Sequence, residues 1–333
     1  MVVFAPSYYP ARGGVEKHLA EVYGLLKDEF SITVFVRYAP NLPAKYTEGD
    51  IRVIRLPRSD RRQVMALWAA RYWRTLRAAD CFHSHDVFPA LVRRLFPRTR
   101  WVHTFHGYEG YPLQPQAIAS RQRVRQLVDY AFGVGQFIEK WYGTPCDEVM
   151  YGATNLRPPH PAPAQKWSAI FYGRLEPDTG FKAYLEGFKL LHDQQPNATL
   201  MVLGNGSQQA WAEDFIARHH LPVTLHDMVP APAPYVEQAR VALVSGYQAI
   251  AESAALGKPI VAVYETPIKH DYLACHPLAK TLSITRTPAE IAAAAQAALK
   301  LPADDAGLHR AQVWAFKQTW QRVADRYAAQ YRC

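Results

Sequence analysis

At 333 residues the chain is longer than one hydrophobic core usually serves, so two domains are expected. Nearly half of the residues are apolar and a fifth are charged, the balance of a globular protein, and no apolar run approaches the about 18 residues of a membrane span. The net charge of +9 is local: residues 51–100 hold twelve arginines, no lysine and only Asp60, Asp80 and Asp86 against them, which leaves the remainder neutral.

In chain order, residues 2–5, 32–36, 51–56 and 101–105 read as strands, and residues 15–26 and 61–78 carry helical periodicity. A helix over 65–76 gathers Val64, Met65, Trp68, Tyr72 and Leu76 on one face and sets Arg71, Arg74 and Arg77 on the other. Arg58, Arg61, Arg62, Arg93, Arg94, Arg98 and Arg100 add to the same basic region. Residues 157–163 contain four prolines, which neither helix nor central strand accommodates, so 157–166 is expected to be a linker. The alternation then restarts, with buried parallel strands expected at 169–172, 199–203, 241–245 and 259–263. This pattern predicts an α/β protein of two doubly wound, Rossmann-like domains, 1–156 and 167–307. A long aromatic-rich helix over 308–331 is expected to pack across the domain boundary.

Cys81, Cys146, Cys275 and Cys333 lie far apart without paired metal-ligand spacing, which argues against a zinc site or a disulfide framework. No basic segment followed by an apolar run opens the chain, so a cytoplasmic protein without a secretory signal is expected.

Three segments carry chemistry. The first strand leads through Arg12-Gly13-Gly14-Val15-Glu16 into a helix, and glycines at a helix N-terminus let backbone N–H groups approach an anion. The strand at 169–172 ends in Gly173-Arg174-Leu175-Glu176-Pro177-Asp178-Thr179-Gly180, where a guanidinium could grip a diphosphate bidentately. In Ser245-Gly246-Tyr247-Gln248-Ala249-Ile250-Ala251-Glu252, a strand end passes into a short helix whose Glu252 carboxylate could accept both hydroxyls of a ribose. Taken singly, each has a plainer reading: a strand–helix turn, a surface arginine, and a glutamate favoured by a helix dipole.

In this order the three segments, with Thr104-Phe105-His106-Gly107 and Gly204-Asn205-Gly206, resemble the retaining glycosyltransferases of family 4 over nearly the whole chain. That resemblance implies the two-domain GT-B fold, with a cleft between the domains, and transfer of a sugar from a nucleoside-diphosphate sugar, UDP being the commonest base. Gly13 and Gly14 would lie against the donor diphosphate and sugar, His106 against a sugar hydroxyl, Arg174 against the leaving phosphate, and Glu252 against the ribose. No metal or cofactor would be needed, since cationic side chains and helix N-termini stabilise the departing diphosphate.

Two positions depart from the family pattern. Thr179 stands where a lysine is usual, a loss worth about one to two orders of magnitude in donor contact; Lys182, three residues on, is the expected substitute if the helix has begun. Val244 stands where a glutamate usually meets the donor sugar, so backbone amides from Gly246, Tyr247 and Ala249, with the Gln248 side chain, are the expected replacements. The acceptor is expected on the N-terminal domain, as a glycan or lipid-linked hydroxyl. The arginines, Arg61, Arg62, Arg71, Arg74 and Arg77 above all, would then hold the protein peripherally on an anionic membrane surface. Three alternatives stand beside this: a sugar-nucleotide epimerase on the same fold, a binding homologue without turnover, and a basic polyanion binder. The last lacks any recognisable nucleic-acid motif, and no nucleic-acid partner is expected.

Overall fold

The computed structural model describes residues 1–9, 13–157 and 166–332. The chain divides into two compact units, 1–150 with 320–333, and 151–319.

The first unit contains β1 (Val2–Ala5), α1 (Gly14–Leu26), β2 (Thr33–Val36), β3 (Lys45–Glu48), β4 (Ile51–Arg55), α2 (Arg62–Arg71), α3 (Trp73–Arg77), β5 (Cys81–His85), α4 (Ala90–Leu95), β6 (Arg100–Phe105), α5 (Pro115–Leu127), β7 (Tyr130–Val134), α6 (Phe137–Tyr142) and β8 (Glu148–Met150). Its sheet runs β3-β4-β2-β1-β5-β6-β7-β8, parallel except for the edge strand β3. The central strands are buried on both faces, where Phe4, Phe35, Trp68, Phe82 and Trp101 pack ring against ring.

The second unit contains β9 (Trp167–Tyr172), α7 (Phe181–Gln194), β10 (Leu200–Leu203), α8 (Gln209–Arg218), β11 (Val223–His226), α9 (Ala233–Glu237), β12 (Ala239–Leu243), α10 (Tyr247–Ala255), β13 (Ile260–Val263), α11 (Pro267–Ala274), β14 (Ser283–Thr285), α12 (Pro288–Leu299) and α13 (Ala306–Phe316). Its all-parallel order, β11-β10-β9-β12-β13-β14, is that of a dinucleotide-binding sheet. The order reverses between β9 and β12, and ligands of such sheets bind beyond the strand ends at that reversal. Phe171, Phe181, Tyr184 and Phe188 fill one face, covered by α7 and α12. A Cβ at Gly187 would run into Ile291, so glycine sets the approach of those helices.

Three expectations require correction. The helix expected over 61–78 is two, α2 and α3, broken at Tyr72, whose backbone (φ −103°, ψ 16°) leaves the helical region; the apolar and basic faces nonetheless hold, with Trp68, Tyr72 and Leu76 buried and Arg71, Arg74 and Arg77 exposed. The helix expected over 308–331 is also two: α13, and then α14 (Trp320–Tyr331), which belongs to the first unit. The division into units falls at Met150–Tyr151, ahead of the prolines. Residues 152–154 are fastened to the second unit: Gly152 packs on the Tyr247 carbonyl, Gln248 donates to Ala153 O at 2.7 Å, and Thr154 N donates to Gln318 O. The proline-rich residues 158–165 lie outside the described residues.

Candidate functional site

The loops after β9 and β12 flank the reversal of strand order in the second unit. After β9, Gly173 and Gly180 take positive φ of 148° and 74°, and a Cβ at Gly180 would strike Val263 Cγ1. The intervening turn is pinned by Thr179, whose Oγ1 donates to Arg174 O at 2.9 Å and Glu176 O at 2.7 Å. Arg174 is half exposed and its guanidinium bonds Asp178 at 2.6 Å, so it is held at the strand end.

After β12, Ser245 Oγ donates to Thr179 O at 3.1 Å, joining the two loops. No atom lies within 4 Å of a Cβ built on Gly246, so space is open beside the N-terminus of α10. Of the amides expected to serve there, Tyr247 N–H is already given to the Tyr272 hydroxyl at 2.7 Å. Gln248 is committed as well, donating from Nε2 to Ala153 O and to Glu252 Oε1 at 2.8 Å, while the Ala249 carbonyl accepts from the Tyr172 hydroxyl. Glu252 lies sixth in α10, not at its start, and is 4% exposed. A carboxylate that deep is held for a reason other than the helix dipole. Val244 is buried core and offers no polar substitute for a glutamate.

Lys182 is in α7, but α7 begins at Phe181, so Thr179 precedes it and the two do not share a helical face. The Lys182 ammonium is 3.9 Å from Glu186 and 5.1 Å from the Trp211 ring centre. A different lysine, Lys269 of α11, reaches this region: its Nζ donates to Ser245 O at 2.8 Å. Nothing in the local sequence marks it.

In the first unit, Gly13 caps α1 and Gly14 opens it, with residues 10–12 outside the described set. The Glu16 carboxylate folds against Gly13 and bonds the Ser7 hydroxyl, so this helix N-terminus already faces one negative charge. His106 follows β6. Its N–H donates to Asp86 Oδ1 at 3.1 Å, and its Nε2 meets His85 Nδ1 at 2.8 Å. Burial, reinforced by the Arg121 charge, draws its pKa down to about 3, so the ring is neutral at physiological pH. Asp86 holds a left-handed backbone at φ 52°, a strained conformation for a non-glycine residue. Arg121 lies 4.0 Å from its carboxylate and 4.1 Å from the Tyr142 ring centre. His18, which sequence reasoning passed over, packs edge-on against His106 at 5.0 Å. Among the described residues no group of three or more His, Cys, Asp or Glu could hold a metal ion.

Arg61 and Arg62 are exposed at the start of α2, with Arg71, Arg74 and Arg77 exposed along α2 and α3. Leu67 and Trp73 of the same helices are 74% and 40% exposed. Arg100 instead serves the fold, bonding Gln330 O and Oε1 at 2.7 Å each. No helix is long and apolar enough to cross a membrane among the described residues.

Residues 12–144 match the model of Glycosyltransferase Family 4, and residues 167–301 that of Glycosyl transferases group 1. YtcC of Bacillus subtilis (strain 168), provisionally named a glycosyltransferase, is 22% identical over 219 residues; the match covers 58% of this chain and 52% of YtcC, so about half the length of that curated relative is spanned. Among solved structures, Anabaena Alr3699/HepE in complex with UDP and glucose superposes with a TM-score of 0.76 at 15% identity, covering 98% of each chain. WaaG, a glycosyltransferase involved in lipopolysaccharide biosynthesis, superposes with a TM-score of 0.70 at 13% identity over 98% of this chain and 99% of its own. The two Rossmann-like units are those of the GT-B fold.

Proposed function

Because the chain belongs to the glycosyltransferases of family 4, we propose that it moves a hexosyl group from a nucleoside-diphosphate sugar, foremost a UDP-sugar, to a hydroxyl acceptor with retention of configuration. One observation carries this reading: Arg174 stands on the loop after β9 and the buried Glu252 on α10, the helix that follows the loop after β12, and these two loops, which flank the strand-order reversal of the second unit, are joined through Ser245 and Thr179. A guanidinium there suits a diphosphate and a fixed carboxylate suits a ribose diol, and the two loops together describe a nucleotide. That HepE was solved with UDP supports uridine as the base.

In this reading the bond from the sugar C1 to the diphosphate oxygen breaks as Arg174 offsets the charge growing on that oxygen. The acceptor oxygen bonds C1 from the same side, and its proton passes to the departing phosphate, so no protein nucleophile is required. Gly13, Gly14 and His106 serve the transfer from the first unit, His106 as a neutral hydrogen-bonding ring. The charges that meet the leaving group are side chains, so the reaction is read as metal-independent and turnover should survive EDTA. An acceptor presented at an anionic lipid surface fits the exposed arginines with Leu67 and Trp73 beside them, and WaaG's place in lipopolysaccharide biosynthesis supports that acceptor class.

The test is thermal stabilisation by UDP, GDP, ADP and their sugars, followed by turnover of the best donor. Arg174→Ala should lower kcat by about 100- to 1000-fold while the protein stays folded, since Arg174 is half exposed. Stabilisation by no nucleotide, or full activity of Arg174→Ala, defeats the reading.

A further inference from the structure

Lys269 is the third residue of α11 and only 9% exposed. Its Nζ donates to the Ser245 carbonyl at 2.8 Å and lies 4.1 Å from the centre of the Tyr272 ring. Among the described residues no carboxylate comes within ion-pair distance of it. An ammonium removed from water with one carbonyl and one ring for company is costly, and such groups persist where an anion completes them.

The surroundings indicate which anion. Burial draws the Lys269 pKa down to about 8, Asp178 opposes this, and Arg174 adds to it, so the ammonium shares the electrostatic field of the Arg174 turn. Its anchor, Ser245, also donates Oγ to the carbonyl of Thr179, the position at which the family resemblance implies a lysine. Lys269 and residue 179 are therefore bonded to the same serine. An ammonium has three N–H donors; the Ser245 carbonyl takes one and the Tyr272 ring covers another side.

We propose that Lys269 is the second cation of the diphosphate site, acting from α11 where the Arg174 turn itself carries Thr179 and no lysine. This rests on the reading of the second unit as a nucleotide-sugar site and adds a residue to it. It takes over the part expected of Lys182, whose ammonium lies 3.9 Å from Glu186 and 5.1 Å from the Trp211 ring centre.

The contrasting role is a purely mechanical tether between α11 and the end of β12, and calorimetric titration with UDP and with uridine separates the two. Lys269→Met should weaken UDP by about 10- to 100-fold and leave uridine within twofold, because only UDP brings phosphate charge. Lys269→Gln, which keeps a donor for Ser245 O without the charge, should behave alike and carries the test should the methionine variant not fold. Adding Thr179→Lys to either variant should recover at least tenfold in UDP affinity. Unchanged UDP affinity, equal losses for UDP and uridine, or no recovery by Thr179→Lys would each overturn the assignment. A parent protein that binds no UDP brings down the donor reading and this inference together, whereas UDP binding by the parent with no effect of Lys269 removes this inference alone.

Discussion

His85 Nδ1 stands 2.8 Å from His106 Nε2 at the ends of neighbouring strands β5 and β6, and the other nitrogen of His85 meets the Tyr23 hydroxyl at 2.6 Å. Burial lowers the pKa of both rings, so both are neutral, and two neutral imidazoles can join only when one gives an N–H and the other a lone pair. The protonated nitrogen of His106 is therefore coupled to that of His85. Once that is fixed, His106 Nδ1 is committed to donating or to accepting. The tautomer of the proposed sugar contact is thereby tied to a residue that itself need not touch the sugar.

His85→Phe should accordingly lower kcat by about tenfold, the scale of one misdirected hydrogen bond, with UDP affinity unchanged. His85→Asn, whose amide can stand at the Nδ1 position, should retain more turnover than the phenylalanine variant. Steady-state kinetics beside UDP titration checks both, and equal activity of the two variants would contradict a directional role.

The same region makes the first unit sensitive to acid. His18, His83, His85, His103 and His106 are buried, and burial is the leading cause that depresses each below the ordinary 6.5. A base whose folded pKa lies below its unfolded value binds fewer protons when folded. Stability is thus complete above pH 6.5 and is lost as pH falls below it, at about 1.4 kcal/mol per group per pH unit. Five groups acting together remove several kcal/mol by about pH 5.5. Scanning calorimetry should show the melting temperature level from about pH 7 to 8 and falling steeply between about pH 6.5 and 5.5. A flat profile through that interval would mean that the imidazoles titrate normally.

The alternation of strands and helices was legible because β-branched and aromatic runs such as residues 2–5 and 101–105 must be buried on both faces of a parallel sheet. The motifs on strand ends were legible for a related reason: Gly173, Gly180 and Gly246 mark places where backbone turns or stands open. What escaped has a physical pattern too. Tyr72 and residues 317–319 interrupt helices without proline or glycine, and β3 is a polar, mostly exposed edge strand that only its pairing with β4 defines. Lys269 and His18 escaped because each reaches its partners through tertiary folding: α11 brings the lysine to Ser245, 24 residues away in sequence, and α1 brings the histidine against His106. The prolines at 158–163 suggested the boundary by composition alone, whereas the change of unit falls earlier, at the contacts of residues 152–154.

Gly204 offers a stability test that also reaches the site. A Cβ there would collide with the Gly173 carbonyl, which is backbone and cannot rotate aside. Gly204→Ala should destabilise the second unit by about 1–3 kcal/mol, a fall of several degrees in Tm for about 170 residues. Because Gly173 precedes Arg174, the same variant should weaken UDP while Gly24→Ala, with no atom within 4 Å of its Cβ, should do neither. A Gly204→Ala protein with parental Tm and UDP affinity would show that the β9 and β10 ends do not pack as described.

The arginine surface is the most exposed element of the functional proposal and the simplest to test by itself. Arg71, Arg74 and Arg77 project opposite Trp68, Tyr72 and Leu76, and Leu67 and Trp73 remain open to solvent on the same pair of helices. Charge alone would draw this face to anionic lipid, and an exposed leucine and tryptophan could then enter the headgroup layer. Each arginine near such a surface is worth about 1 kcal/mol, so replacing Arg71, Arg74 and Arg77 together with alanine should weaken binding to phosphatidylglycerol vesicles by roughly 100-fold. Raising salt from about 50 mM to 500 mM should release most of the parent protein, because the Debye length contracts several-fold. Leu67→Ser with Trp73→Ser should instead lower the fraction that resists salt. Equal sedimentation with neutral and anionic vesicles would assign the arginines to solubility and leave the acceptor without a membrane.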